Sequence, residues 1–258
     1  MNFRYKTASA LGLMLFLFLP ATLAFASSPA SRILFVGNSY LYYNDSLHNH
    51  VRRLVQEMDP QLTLTYKSAT IGGARLSHHA LDYLLEPARL GVREPFGIVV
   101  LQGGSAEALT ESGRLTFIQQ VINKVNQINN YGAQAYLYLT PAYVDPHPRS
   151  HAGMLPKVQS MYEEAAQRSG AQVIPVGLAF ARSYAKHPEI LLHNNRDGSH
   201  PSLLGTYLAA CVVVASIYGA SPVGLSYDYF GRVDESVRLK LQEIARETVS
   251  DYQNYQRR

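Results

Sequence analysis

Along the chain, short apolar runs alternate with longer stretches in which apolar residues recur every three or four positions. The first pattern is that of buried strands and the second that of amphipathic helices. Runs rich in Val, Ile, Leu or Tyr predict strands over residues 32–36, 62–68, 96–101, 133–139 and 172–176. Helical spacing predicts helices over 46–58, 76–84, 114–130, 154–169, 203–218 and 235–252. Strands that alternate with helices must run parallel, because each helix carries the chain back to the starting edge. The expected fold is therefore α/β, a doubly wound three-layer α/β/α sandwich with a five-stranded parallel sheet. Ligands in such folds bind beyond the carboxyl ends of the strands, near the point where strand order reverses. That directs attention to the segments that follow the strands: Gly37-Asn38-Ser39-Tyr40, Ala69-Thr70-Ile71-Gly72-Gly73, Gln102-Gly103-Gly104-Ser105 and Thr140-Pro141-Ala142-Tyr143.

The N-terminus departs from this alternation. Arg4 and Lys6 precede an apolar run over 11–19, and Ala24-Phe25-Ala26 follows as an A-x-A pattern. These are the parts of a secretory signal peptide, residues 1–26, with cleavage expected after Ala26 and a secreted or periplasmic product, residues 27–258. The apolar run is interrupted by Pro20 and falls short of the ~20 residues that a membrane span requires. Stable membrane insertion after cleavage is not expected.

The full chain of 258 residues carries a formal charge of +4. Loss of Arg4 and Lys6 leaves 21 basic against 19 acidic side chains. Such a balanced surface, with only Arg52-Arg53 and Arg257-Arg258 as basic pairs, excludes the concentrated patch that nucleic-acid binding needs. No linker, repeat or charge block divides the mature chain, so one domain is expected. The single cysteine, Cys211, lies in an apolar segment and reads as a buried thiol.

Two segments carry candidate chemistry. The run Ile33-Leu34-Phe35-Val36-Gly37-Asn38-Ser39 ends a buried strand in a small turn that can expose a hydroxyl next to helix N–H groups. Taken alone, a serine there reads as a helix cap. The second segment is Arg196-Asp197-Gly198-Ser199-His200-Pro201, ahead of a long apolar helix. A serine hydroxyl becomes a useful nucleophile when an imidazole takes its proton and a carboxylate orients that imidazole. Asp197 and His200 meet those needs if their loop folds back on itself.

Taken in this order, at opposite ends of the domain, the two blocks resemble the SGNH/GDSL hydrolase superfamily, whose fold is flavodoxin-like. Gly37-Asn38-Ser39 is similar to its nucleophile block, with Asn38 where an acidic residue is usual. Asp197-Gly198-Ser199-His200 matches its D-x-x-H block. The resemblance implies Ser39 as nucleophile, His200 as general base and acid, and Asp197 as the orienting carboxylate. It also implies an oxyanion hole formed by the backbone N–H of Ser39 and of a glycine after the second strand, for which Gly73 is favoured over Gly72. The family's third donor is an Asn in a Gly-x-Asn-Asp segment. This chain has Leu101-Gln102-Gly103-Gly104-Ser105 instead, so Gln102 is the expected donor and Ser105 its rival.

Histidines at 48, 50, 78, 79, 147, 151 and 193 lack the spacing of a zinc site, and neither metal nor cofactor is expected. The pairs His48/His50 and His78/His79 are expected to face solvent. Among many tyrosines, Tyr40 and Tyr143 are the candidate substrate contacts, and the Pro-rich stretch 141–153 is expected to border the site as a lid. The leading expectation is an exported esterase that removes small acyl groups, acetyl first among them, from a carbohydrate or cell-envelope molecule through an acyl-serine intermediate. The alternatives are an O-acyltransferase with the same triad and a non-catalytic binding module on the same fold.

Overall fold

The computed structural model describes Met1 and residues 31–257. The expected signal peptide, apart from Met1, and its cleavage site lie outside the described residues. From Ser31 onward the elements are β1 (Arg32–Gly37), α1 (Ser39–Tyr42), α2 (Leu47–Met58), β2 (Thr65–Thr70), α3 (Leu81–Leu85), β3 (Ile98–Leu101) and α4 (Glu111–Asn130). They continue with β4 (Gln134–Tyr138), α5 (Met154–Ser169), β5 (Gln172–Ile174), α6 (Val176–Lys186), α7 (Leu203–Tyr218) and α8 (Glu235–Gln256). Two 3₁₀ turns, Leu76–His78 and Glu107–Leu109, follow β2 and β3.

The five strands form one sheet in the order β2-β1-β3-β4-β5, with every neighbouring pair parallel. After β1 the chain moves outward to β2, then crosses back to place β3 on the other side of β1. The order therefore reverses between β1 and β3, which is where ligands bind in open α/β sheets, beyond the carboxyl ends of the strands. Ser39 follows one of these strands and Gln102 the other.

Along β1, Ile33 and Phe35 enter the layer that contains α2, α6, α7 and α8, while Leu34 and Val36 enter the layer that contains α3, α4 and α5. A strand covered on both faces needs an unbroken apolar run, as this one has. Helix α7 is buried continuously from Gly205 to Ala215, because α2, α6 and α8 all pack on it. Cys211 lies in that stretch, where burial pushes its thiol up to about 12 and keeps it protonated. No helix among the described residues is long and apolar enough to cross a membrane.

The expected sandwich and its five strands are observed, with differences at the ends and in three helices. The helix expected over 76–84 is interrupted, because His79 turns inward to 5% exposure and its carbonyl accepts Lys124 Nζ at 2.8 Å. Helix α6 begins at Val176, where the apolar run after β5 reads as strand. Its buried residues Val176, Ala179, Phe180 and Ser183 nevertheless fall at helical spacing. Helix α1 has four residues, too few to leave a periodic trace.

Candidate active site

Three loops are stitched together under Ser39 by one amide. Asn38 is in an extended conformation at the end of β1, and its Oδ1 accepts from Tyr40 N–H at 3.2 Å. Its Nδ2 donates to Ala74 O at 2.9 Å, after β2, and to Gly103 O at 3.2 Å, after β3. An aspartate could accept from Tyr40 but would point a second oxygen at two carbonyls inside a buried site. Asn38→Asp, although it restores the acidic residue usual in the family, is therefore expected to destabilise the fold by about 1–3 kcal/mol, read as a lowered denaturation midpoint.

Gln102 is fully buried and belongs to the same support. Its Oε1 accepts the backbone N–H of Asn38 at 2.9 Å, and its Nε2 donates to Gly103 O. The amide oxygen is taken by Asn38 N–H, the NH₂ donates to Gly103 O and the side chain is fully buried, so the expectation that Gln102 reaches an oxyanion is corrected: it holds the Asn38-Ser39 turn from beneath. Gly37 permits this approach, because a Cβ there would lie 2.5 Å from Gln102 Oε1.

The second half of the site is a closed loop ahead of α7. Asn194 O accepts from Asp197 N–H at 3.3 Å and Gly198 N–H at 2.9 Å, while Asn194 N–H donates to His200 O at 2.7 Å. Pro201 then pairs with His193, and the Ser202 hydroxyl caps α7 by accepting from Gly205 N–H. Asp197 Oδ1 accepts the N–H groups of Ser199 at 2.8 Å and His200 at 2.9 Å. Its Oδ2 accepts from His200 Nδ1 at 2.8 Å. Burial pushes the Asp197 carboxyl up, but the bonds from Ser199 and His200 outweigh it and hold it below the ordinary aspartate value. An ionised carboxylate can only accept, so Nδ1 carries the proton and Nε2 is left as an acceptor. Ser39 Oγ lies 2.9 Å from that Nε2. The structure thus brings Ser39, His200 and Asp197 into one hydrogen-bonded line across 161 residues of sequence separation.

The turn containing Gly73 lies beside this line. Ile71 N–H donates to Gly37 O at 3.1 Å, and Asn38 holds Ala74 O. The N–H groups of Ser39 and Gly73 donate to no acceptor among the described residues, and Ser39 at the first turn of α1 has none to expect within its helix.

Ser105 is half-buried, and its Oγ shares a hydrogen bond of 2.6 Å with Tyr143 OH. The structure corrects the expectation that Tyr40 and Tyr143 touch substrate. Tyr40 is 4% exposed and bonded through its hydroxyl to Ser199 Oγ at 3.0 Å, and Tyr143 is 6% exposed. Their rings are internal struts. Two rings flank the imidazole: that of Tyr43 is stacked flat on His200 with centroids 4.4 Å apart and planes 11° from parallel, while that of Tyr40 lies tilted by 36° at 5.9 Å.

Stretch 141–153 borders the site, as expected. It is tied in by Val144 N–H to Gly198 O at 2.9 Å, by Ser150 Oγ to Tyr143 O at 3.3 Å, and by the stack of Tyr143 on His147.

Of the histidines expected at the surface, His50 and His79 are buried. Among the described residues no three His, Cys, Asp or Glu side chains gather as a metal site. His193 is also buried, against the loop that carries Asp197 and His200. Tyr184 OH accepts the N–H groups of Leu192 and His193, so its own proton is donated to His193 Nδ1 at 2.8 Å. Protonating Nδ1 would turn that acceptor into a second donor, and burial lowers the His193 pKa to about 4. Between this value and the ordinary 6.5 the unfolded chain binds a proton that the folded one refuses. Stability is therefore complete above pH 6.5 and falls as the pH drops towards 4, by about 3 kcal/mol in total. The expected result is a melting temperature that declines across this window and a shallower decline in His193→Gln.

No protein-family model and no curated protein sequence matches the chain. Solved structures do. A DUF4886 family protein from Bacteroides uniformis superposes with a TM-score of 0.66 at 18% identity, over 84% of this chain and 93% of that one. A proposed SGNH hydrolase from Slackia heliotrinireducens gives 0.57 at 27% identity, over 71% and 97%. An acetylxylan esterase from Geobacillus stearothermophilus gives 0.57 at 14% identity, over 73% and 95%. The parallel sheet, the two sequence blocks and these likenesses together give the chain the fold of the SGNH hydrolase, GDSL-like lipase and acetylxylan esterase structures, and support the SGNH/GDSL hydrolase superfamily.

Proposed function

We propose that the protein is a serine esterase that hydrolyses small acyl esters through an acyl-serine intermediate. The observation that carries this reading is the line from Ser39 Oγ through His200 to Asp197, at 2.9 and 2.8 Å. In the proposed reaction His200 Nε2 takes the hydroxyl proton as Ser39 Oγ attacks the ester carbonyl. Asp197 keeps the imidazole in the tautomer that can accept it and stabilises the imidazolium. The unpaired N–H groups of Ser39 and Gly73 receive the developing oxyanion. The imidazolium then returns its proton to the leaving alkoxide, and the alcohol departs. Water, deprotonated by His200, attacks the acyl-serine and releases the acid, which restores the hydroxyl of Ser39.

Acetate from a carbohydrate or envelope molecule is the proposed substrate chemistry. Acetylxylan esterases among the structural neighbours support it, as does the N-terminal export pattern, which would place the enzyme outside the cytoplasm. The test is turnover of p-nitrophenyl acetate and of a panel of acetylated sugars by the wild type and by Ser39→Ala. Turnover of at least one ester by the wild type, lost in the variant, is expected. Equal turnover by both proteins, or none by either, would overturn the reading.

A further inference from the structure

Immediately after α1 the backbone does something that packing alone does not require. Asn44, Asp45 and Ser46, none of them glycine, have φ of 53°, 68° and 62° in succession. Left-handed residues of this kind persist when their surroundings over-determine them, and they concentrate where a protein must place something accurately. The surroundings here are explicit. His50, fully buried, donates from Nε2 to Asn44 O at 2.6 Å and accepts from Tyr227 OH at Nδ1, at 3.0 Å. Asp45 Oδ2 pairs with Arg53 at 2.7 Å, and Asn49 Nδ2 donates to Asp45 O at 2.8 Å.

What the turn places is the other half of the site. Asn44 Nδ2 donates to Pro201 O at 3.0 Å and to Thr206 Oγ1 at 2.9 Å. Pro201 follows His200 directly, so this amide ties the base-bearing loop and the start of α7 to the end of the nucleophile helix. One residue earlier, Tyr43 lays its ring flat on the His200 imidazole, and the Tyr42 ring stacks with that of Tyr43 at 5.5 Å and 22°. The Tyr43 hydroxyl makes no hydrogen bond among the described residues, so the ring face alone acts.

We propose that this strained turn is a clamp on the catalytic base, with Tyr43 and Asn44 as positioning residues: Tyr43 fixes the plane of the His200 imidazole and Asn44 fixes the backbone that carries it. The proposal rests on the reading of Ser39 and His200 as nucleophile and base. The imidazole must accept a proton from Ser39 and later hand it to a leaving group without turning away from either. Asp197 fixes Nδ1 only, which leaves rotation about the Asp–His bond to be restrained by something flat. Misplacement of a reacting group by about 1 Å is enough to cost about 100-fold in rate.

The test compares the full chain with Tyr43→Ala, Tyr43→Phe, Asn44→Gly and Ser39→Ala, on any ester the wild type turns over. Tyr43→Ala is expected to lower kcat about 10- to 100-fold with KM unchanged, and Tyr43→Phe to restore kcat, because the ring and not the hydroxyl is used. Asn44→Gly relaxes the positive φ while deleting the tie to Pro201, so it is expected to keep its melting temperature and still lose kcat. A purely structural turn would instead lose stability and activity together. A rise in KM at constant kcat in Tyr43→Ala would make Tyr43 a substrate contact and overturn the clamp, as would unchanged kcat in both Tyr43→Ala and Asn44→Gly. Either result beside an inactive Ser39→Ala leaves the esterase reading standing, whereas an active Ser39→Ala removes that reading itself.

Discussion

His200→Ala is expected to reduce turnover of a small ester by about four to six orders of magnitude while leaving the protein folded. The imidazole is about a quarter exposed and closes no part of the core, so its removal empties surface space. Chemically it removes the one group among the described residues that lies within hydrogen-bond distance of Ser39 Oγ, at 2.9 Å, and can take its proton. Asp197→Asn sharpens the argument. The Asn Oδ1 can still accept from Ser199 and His200 N–H, so the loop survives. Its amide NH₂ would face Nδ1 and force the proton onto Nε2, which could then no longer accept from Ser39. A loss of about 10⁴ in kcat with the melting temperature nearly unchanged is expected. Steady-state rates and thermal melts of both variants check this, and activity within tenfold of wild type in either would remove His200 from the base role.

Gly198→Ala has the largest effect expected on stability, and it is expected to lower the rate as well. Gly198 has φ of +59°, where a β-carbon is strained, and that carbon would sit 2.0 Å from Val144 O. The neighbour is backbone, held by the Val144 N–H bond to Gly198 O at 2.9 Å, so it cannot turn aside as a side chain would. Either the 141–153 wall or the loop carrying Asp197 and His200 must shift. A destabilisation of about 3–5 kcal/mol is expected, with a fall in kcat at temperatures where the variant is still folded. Denaturant titration and single-temperature kinetics separate the two effects.

The sheet was legible because its signal is local. A strand buried on both faces must be apolar throughout, and β1 and β3 are, in Ile33-Leu34-Phe35-Val36 and Ile98-Val99-Val100-Leu101. Ser39, Asp197 and His200 could be named because each stands in a short block whose order along the chain is itself informative, and the structure places the three together. Their chemical roles rest on the proposed mechanism.

What could not be read were the directions of side chains in the loops. Gln102 has an amide in the right segment, yet register turns it under Asn38 instead of outward, and no local pattern distinguishes the two. Tyr40 and Tyr143 read as substrate contacts because aromatic faces with polar tips suit sugar or acyl groups, but both tips find partners inside, in Ser199 and Ser105. Asn44-Asp45-Ser46 did leave a trace, since Asn and Asp are the residues that tolerate positive φ best. That trace announces a turn and says nothing of Pro201, 157 positions away.

In the proposed reaction the acyl group is carried by Ser39 Oγ. The most direct measurement is the intact mass and peptide map of the protein after treatment with a fluorophosphonate, which phosphonylates an activated serine with loss of fluoride. A single adduct on the peptide containing Ser39 is expected in the wild type and none in Ser39→Ala. An adduct that persists in Ser39→Ala, or an unlabelled wild-type protein that still hydrolyses esters, would contradict it.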